Sequence, residues 1–132
     1  MTERVAAALC VFDKDGRVLM QHHAENAPVL PGFWGFFGGR VDADELPEQT
    51  VRRTVYEQAE YRPHKPEFFV KEKSTWEGVH ILTHIFIEAY DGVQPIILHQ
   101  GQAYGWFAID DALLLSISPA REKTLLKLQR RL

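Results

Sequence analysis

An α/β fold, with a mixed sheet held between helices, is what this sequence predicts, and three patterns carry that reading. Val79, Ile81, Thr83, Ile85 and Ile87 alternate with His80, Leu82, His84, Phe86 and Glu88, which is the period of a strand. Val51, Val55 and Ala59 recur on one helical stripe after Pro47. Strand-like runs flank that helix in the order β-β-β-α-β-β-β-α, an order that implies helices packed on a sheet.

Each element has its own signal. Val5–Phe12 and Arg17–His23 read as strands joined by Asp13-Lys14-Asp15-Gly16, a turn sequence suited to a hairpin. Residues 25–32 contain two prolines and read as a loop. Phe33–Phe37 reads as a short aromatic strand ending at Gly38-Gly39, where backbone can approach a ligand closely. Pro47 suits the first turn of a helix, with Glu45 and Glu48 near its positive end. Glu60 stands where a glycine often ends a helix, and Pro63 blocks continuation. Phe68–Glu77, Val79–Tyr90 and Tyr104–Ile109 read as further strands. Asp110 is the expected cap of a short helix, and Ser118-Pro119 opens a terminal helix rich in Leu, Lys and Arg. The expected organisation is one domain over residues 1–132.

The chain is 132 residues long with a net charge of −3, a balance that argues against a general nucleic-acid binder but not against a nucleotide. No run approaches the ~18 apolar residues of a membrane span. Val5–Phe12 has one basic residue before it and a charged turn after it, so it reads as a buried strand and not a signal-peptide core. A cytoplasmic location is the expectation. Cys10, the one cysteine, lies in this apolar run and reads as a buried structural thiol.

The chemistry concentrates between Gly38 and Tyr61. A glycine turn and an acidic loop lead into a helix on which Thr54, Glu57 and Gln58 share a face at i, i+3, i+4. Three carboxylates at those positions would bind Mg²⁺ through hard oxygens, but only Glu57 is one. At an effective dielectric near 20, each unit-charge contact at about 4 Å is worth roughly 4 kcal/mol before desolvation. The neutral side chains therefore predict weak metal binding. His80 and His84 are about 14 Å apart along a strand and do not chelate one ion.

The segment resembles the Nudix box, G-x5-E-x7-R-E-U-x-E-E-x-G-U, where U is bulky and apolar. Gly39, Glu45, Arg53, Val55, Glu57 and Tyr61 fit it, while Thr54, Gln58 and Glu60 replace Glu, Glu and Gly. The preceding 33–39 segment, Phe-Trp-Gly-Phe-Phe-Gly-Gly, and the late 101–107 segment are similar to the family's flanking strands. The resemblance implies a Nudix-type α/β/α sandwich that hydrolyses a nucleoside diphosphate linked to another moiety, using Mg²⁺ or Mn²⁺. It implies a metal site at Glu57, the Gly39 carbonyl, Gln58 and Gln100, with Arg53 braced by Glu45. Gln100 stands where a further family carboxylate is expected. Residues 38–41 with Asp44-Glu45 are also similar to the turn of GDP-mannose hydrolases, which implies a sugar nucleotide cleaved at the sugar carbon.

Arg40, His22 and His23 are candidate phosphate contacts, Trp34 and Tyr104 candidate walls for a base, and His99 a candidate base in the late loop. The competing reading is a module that binds a nucleotide or nucleotide sugar without turning it over. A small-molecule partner is expected in both, with no nucleic-acid polymer and no membrane, and a homodimer is left open.

Overall fold

The computed structural model describes residues 3–132; residues 1 and 2, which the expected domain includes, lie outside the described residues. Its strands are β1 (Glu3–Phe12), β2 (Arg17–His22), β3 (Trp34–Gly35), β4 (Phe37–Arg40), β5 (Glu67–Trp76), β6 (Val79–Ala89) and β7 (Ala103–Ala108). Its helices are α1 (Pro47–Ala59), α2 (Ile109–Ala112) and α3 (Pro119–Arg131). The strands form one sheet in the order β3-β2-β1-β6-β5, with β4 also pairing β1 and β7 pairing β2. Strands β1 and β6 run parallel and the other pairs antiparallel, so the sheet is mixed.

Both faces of β1 are covered. Ala8 and Cys10 face a cluster with Val18, Met20, Ile85, Leu125 and Leu128 beneath α3. Ala7, Leu9 and Val11 face Phe37, Val51, Val55, Ala59 and Tyr61 beneath α1. That two-sided burial explains why β1 is a nearly unbroken apolar run, whereas the half-covered β5 alternates. Cys10 is fully buried and its thiol is pushed up to about 12 by burial, in keeping with an inert core position.

Three expectations need correction. The aromatic strand is two strands: Phe33 lies outside it, β3 pairs with β2, and after a break at Phe36 β4 crosses to pair with β1. The physical reason lies at Gly38, which is inside β4 and not in a turn. A Cβ there would come 2.3 Å from the Ala7 carbonyl oxygen, so the strand can press on β1 only without a side chain. Asp110 is not a cap, since Ala108 occupies that position and Asp110 sits in the first turn of α2, accepting from Gln129 Nε2 at 2.6 Å. The face that Thr54, Glu57 and Gln58 share is divided: Thr54 and Gln58 are buried against the β4 glycines, and only Glu57 is exposed.

Other signals are realised locally. The Ser118 side chain accepts from Arg121 N–H as the N-cap of α3. Glu60 adopts the left-handed conformation with φ of 53°, which a non-glycine residue reaches at a cost of about 1–2 kcal/mol. The segment before β7 covers that helix end, where Ile97 N–H donates to Ala59 O and His99 N–H to Gln58 O.

Gly38→Ala is expected to destabilise the protein by about 3 kcal/mol, because the clash is with backbone and has no rotamer to relieve it. Urea unfolding of the variant checks this, and an unchanged midpoint would show that β4 is free to move off β1.

Candidate active site

Gly38 and Gly39 bring α1 onto the sheet. A Cβ on Gly39 would meet Thr54 Cγ2 at 3.1 Å, so the helix packs where a side chain would otherwise stand. Gln58 then clamps the strand with both ends of its amide. Gly38 N–H donates to Oε1 at 3.2 Å, and Nε2 donates to Gly38 O at 2.7 Å. Thr54 Oγ1 donates to Thr50 O at 2.8 Å, one turn back.

The acidic loop meets the helix at Arg53, as the family resemblance implies. Its Nε donates to Glu45 Oε2 at 2.7 Å and its Nη2 to Glu45 Oε1 at 2.9 Å, a forked pair. Nη1 donates to Glu57 Oε1 at 3.0 Å, Nη2 lies 3.3 Å from Asp42 Oδ2, and Thr50 Oγ1 donates to Glu45 Oε1 at 2.6 Å. The hydrogen bonds from Arg53, and then that from Thr50, bring Glu45 down to about 2. Arg53 is correspondingly raised, with the Glu45 hydrogen bonds as the largest cause.

These partners decide how the residues suit a divalent ion. Both polar ends of the Gln58 amide are engaged by Gly38, and the Thr54 hydroxyl proton by its own helix. Glu57 is paired with Arg53. Among the described residues no group of three or more His, Cys, Asp or Glu side chains is arranged to hold a metal. The side chains present do not fit a resident ion of the three-carboxylate kind.

On the α3 side of the sheet lies a cavity of about 600 Å³. Its floor follows one row across four strands, because Arg40 and Thr83 both register with Ala6, and Glu72 registers with Thr83. Three strand spacings of about 4.8 Å make the row about 14 Å long. Arg4 and Arg40 stand at one end, and neither makes an ion pair among the described residues. Glu72 closes the other end, buried and held by Arg121 Nε at 2.9 Å and Nη2 at 3.2 Å. Burial pushes the Glu72 carboxyl up, but the Arg121 guanidinium overrides it and holds the group below its ordinary value. Arg121 also lies 4.1 Å over the Phe36 ring, while its Nη1 is buried without a hydrogen-bond partner.

The other expected contacts divide between the cavity and its surroundings. His23 and Trp34 line it, as do Gly39, Gln100 and Arg40. His23 Nδ1 lies 3.0 Å from Leu30 O, a contact in which Nδ1–H donates, and burial lowers the pKa of the ring below its ordinary value. His22 is not in the lining. It pairs with Gly32 O at 3.1 Å and stacks flat on Trp34 at 4.5 Å, positioning that indole. Tyr104 lies outside the lining and is 40% exposed. His99 also lies outside, with Nε2 2.6 Å from Glu60 Oε1. Gln21 Nε2 donates to Gln100 O at 2.9 Å and so ties the late loop to the cavity rim.

Sequence reasoning passed over Glu72, Arg121 and Arg4. Glu72 had a signal, since it is an acid at the inward parity of the Lys71-Glu72-Lys73 run, where burial demands a cation. Arg121 had none, because nothing local to α3 says which of its basic residues points inward.

A mixed sheet between helices, with a glycine-tethered helix on one face and an arginine-lined cavity on the other, defines an α/β/α sandwich. The chain matches the family model for the NUDIX domain over residues 2–128 and belongs to the Nudix family. It is 26% identical over 121 residues to the CTP pyrophosphohydrolase of Escherichia coli K12, spanning 91% of this chain and 85% of that protein. Its fold matches the crystal structure of the MutT protein from Methanosarcina mazei Go1 with a TM-score of 0.89 at 17% identity, over 98% and 95% of the two chains. It also matches the NUDIX domain of Shewanella oneidensis NrtR complexed with ADP ribose, with a TM-score of 0.75 at 23% identity, over 99% and 88%. Members of the family generally use divalent metal ions.

Two expected outcomes follow from this geometry. Glu45 titrates well below its ordinary 4.5 in the folded protein, so its contribution is fully present above that value and lost as pH falls towards about 2. Glu45→Gln should flatten this part of the acid limb, read as the difference between the two proteins' urea midpoints from about pH 5 to about pH 2. Gln58→Glu should cost about 1–3 kcal/mol at neutral pH, since a carboxylate has no proton to donate to Gly38 O. Thermal or urea unfolding checks it, and a neutral result would show that the amide clamp contributes nothing.

Proposed function

We propose that the chain is a Nudix-type hydrolase of a nucleoside diphosphate linked to another moiety, a nucleotide sugar among the candidates, working with a weakened metal site. The observation that carries the reading is the polarity of the cavity. Two arginines without ion-pair partners among the described residues stand at the mouth beside Gly39, and a floor of small residues leads inward to neutral Thr83. A diphosphate fits the cationic end, where Arg40 and Arg4 offset its charge, and the nucleoside extends over Ala6. Trp34, held by His22, offers a wall to the base.

Glu57 is the carboxylate nearest to the family's reactive role, and Arg53 and Glu45 are its positioning pair. They fix its direction and leave little net charge for a cation. Gly39, Gln58 and Gln100 supply neutral oxygens at most, so divalent-metal affinity of the free protein is millimolar or poorer. The ADP ribose bound by the NrtR domain and the triphosphate in the name of the Escherichia coli relative both support a nucleotide-type ligand.

A panel of nucleoside triphosphates, dinucleotides and nucleotide sugars, assayed for phosphate-containing products with Mg²⁺ and with Mn²⁺, tests this directly. Turnover of at least one compound is expected, and Arg40→Ala should raise its KM by about tenfold, or ~1.4 kcal/mol, with kcat little changed. No product across the panel with either metal, alongside tight nucleotide binding, would sink the hydrolase reading. Calorimetry showing micromolar Mg²⁺ binding without nucleotide would contradict the weak-site part alone.

A further inference from the structure

A second depression, of about 670 Å³, lies on the far side of Glu72 from the nucleotide cavity, between β5 and α3. Four lysines line it: Lys71 and Lys73 from β5, and Lys123 and Lys127 from α3. All are exposed, and none makes an ion pair among the described residues. The only acid in its lining is Glu72, which Arg121 already occupies through both carboxylate oxygens. In a chain of net charge −3, this is a concentrated and uncompensated positive surface.

One wall of the groove is also the open edge of the sheet. β5 is the last strand in the order and pairs only with β6, so the outer row of N–H and C=O groups along its ten residues meets no other strand. No turn, loop or side-chain hydrogen bond reaches that backbone among the described residues. Unpaired backbone on an edge is a template for a further strand. Phe33 and Trp76, packed edge to face at 6.3 Å, close one end of the groove with an apolar surface.

We propose that this groove docks an extended acidic peptide, which adds to β5 as an eighth strand. Charge complementarity selects the occupant. An added strand would lie about 4.8 Å from β5 with its side chains alternating between the two faces. One face meets the ε-ammonium groups of α3, which recur at i, i+4, and the other runs beside the lysines that recur at i, i+2 on β5. Asp or Glu on both faces satisfies both rows. A second copy of this chain is the wrong occupant. When two β5 edges pair antiparallel about Glu72, Lys71 of each copy opposes Lys73 of the other, which is destabilising. In that register the lysines disfavour self-pairing, and they favour an acidic strand over an uncharged one. This site is separate from the residues assigned to hydrolysis and does not rest on that reading.

Fluorescence anisotropy of a labelled, end-capped peptide of three Glu-Glu-Val repeats, which carries Glu on both faces of a strand, added to the intact protein, tests the proposal. Saturable binding that weakens with salt is expected, together with at least a tenfold loss for Lys123→Glu combined with Lys127→Glu. A peptide N-methylated at alternate residues keeps its charge but cannot form a ladder, and it should bind at least tenfold more weakly. Circular dichroism establishes that the double variant is folded, and the N-methylated arm stands even if it is not. Absence of peptide binding, equal binding of the N-methylated peptide, or equal binding of a Lys-Val peptide would each overturn the proposal. Displacement of the peptide by stoichiometric inorganic tripolyphosphate would reassign the groove to small anions. Sedimentation showing that the protein dimerises through this edge, with dimerisation blocked by the same peptide, would reassign it to a second copy.

Discussion

The absence of two side chains, at Gly38 and Gly39, is the constraint on which the rest of the molecule depends. Without a Cβ at Gly38, β4 lies against Ala7 and Ala8 of β1; without one at Gly39, α1 lies against β4. These contacts place Val51, Val55 and Ala59 in the core and bring Gln58 within reach of the Gly38 backbone. They also set Arg40 at the mouth of the cavity, because its position in β4 is fixed by the pairing of Ala6 with it. Hydrophobic burial alone would not choose this register, since many small residues can slide past one another. The backbone approach does.

Around that contact, groups that belong to metal chemistry in the family are here engaged in holding structure. A glutamate at position 58 could accept from Gly38 N–H but could not donate to Gly38 O, whereas the amide does both. Thr54 returns its proton to its own helix, and Glu57 turns towards Arg53. The result is a face with cohesion and little field. Positive charge stands instead at Arg4 and Arg40, which no carboxylate among the described residues pairs with. The helix face is therefore nearly neutral while the cavity lining carries two unpaired cations among the described residues.

The buried Glu72–Arg121 pair organises the opposite end. Its two forked bonds satisfy a carboxylate that burial would otherwise penalise by several kcal/mol, and they anchor α3 to β5. The pair also forms a partition. On one side lies the cavity on the α3 face of the sheet, and on the other lies the lysine-lined edge, so the ion pair stands where two surfaces of different character adjoin. With Glu72 neutralised in place, the positive potential beside β5 is left uncompensated.

Much of this was written locally. Proline at 47, serine at 118, the Asp13–Gly16 turn and the alternation of β6 each act through their immediate neighbours, so the sequence alone determined the helices, most strands and the family's motif. The Glu45–Arg53 pair was legible for the same reason, since eight residues of loop and helix fix both ends. The tertiary structure decided what depends on distant backbone. It split the aromatic strand at Phe36, because β3 and β4 find different partners, and it engaged Gln58, an expected metal-site residue, as a clamp on Gly38. It also chose Arg121 over the four other positive residues of α3 only through Glu72, 49 positions earlier. Periodicity says which side of an element is buried, but the element that will cover it is set by packing across the whole chain.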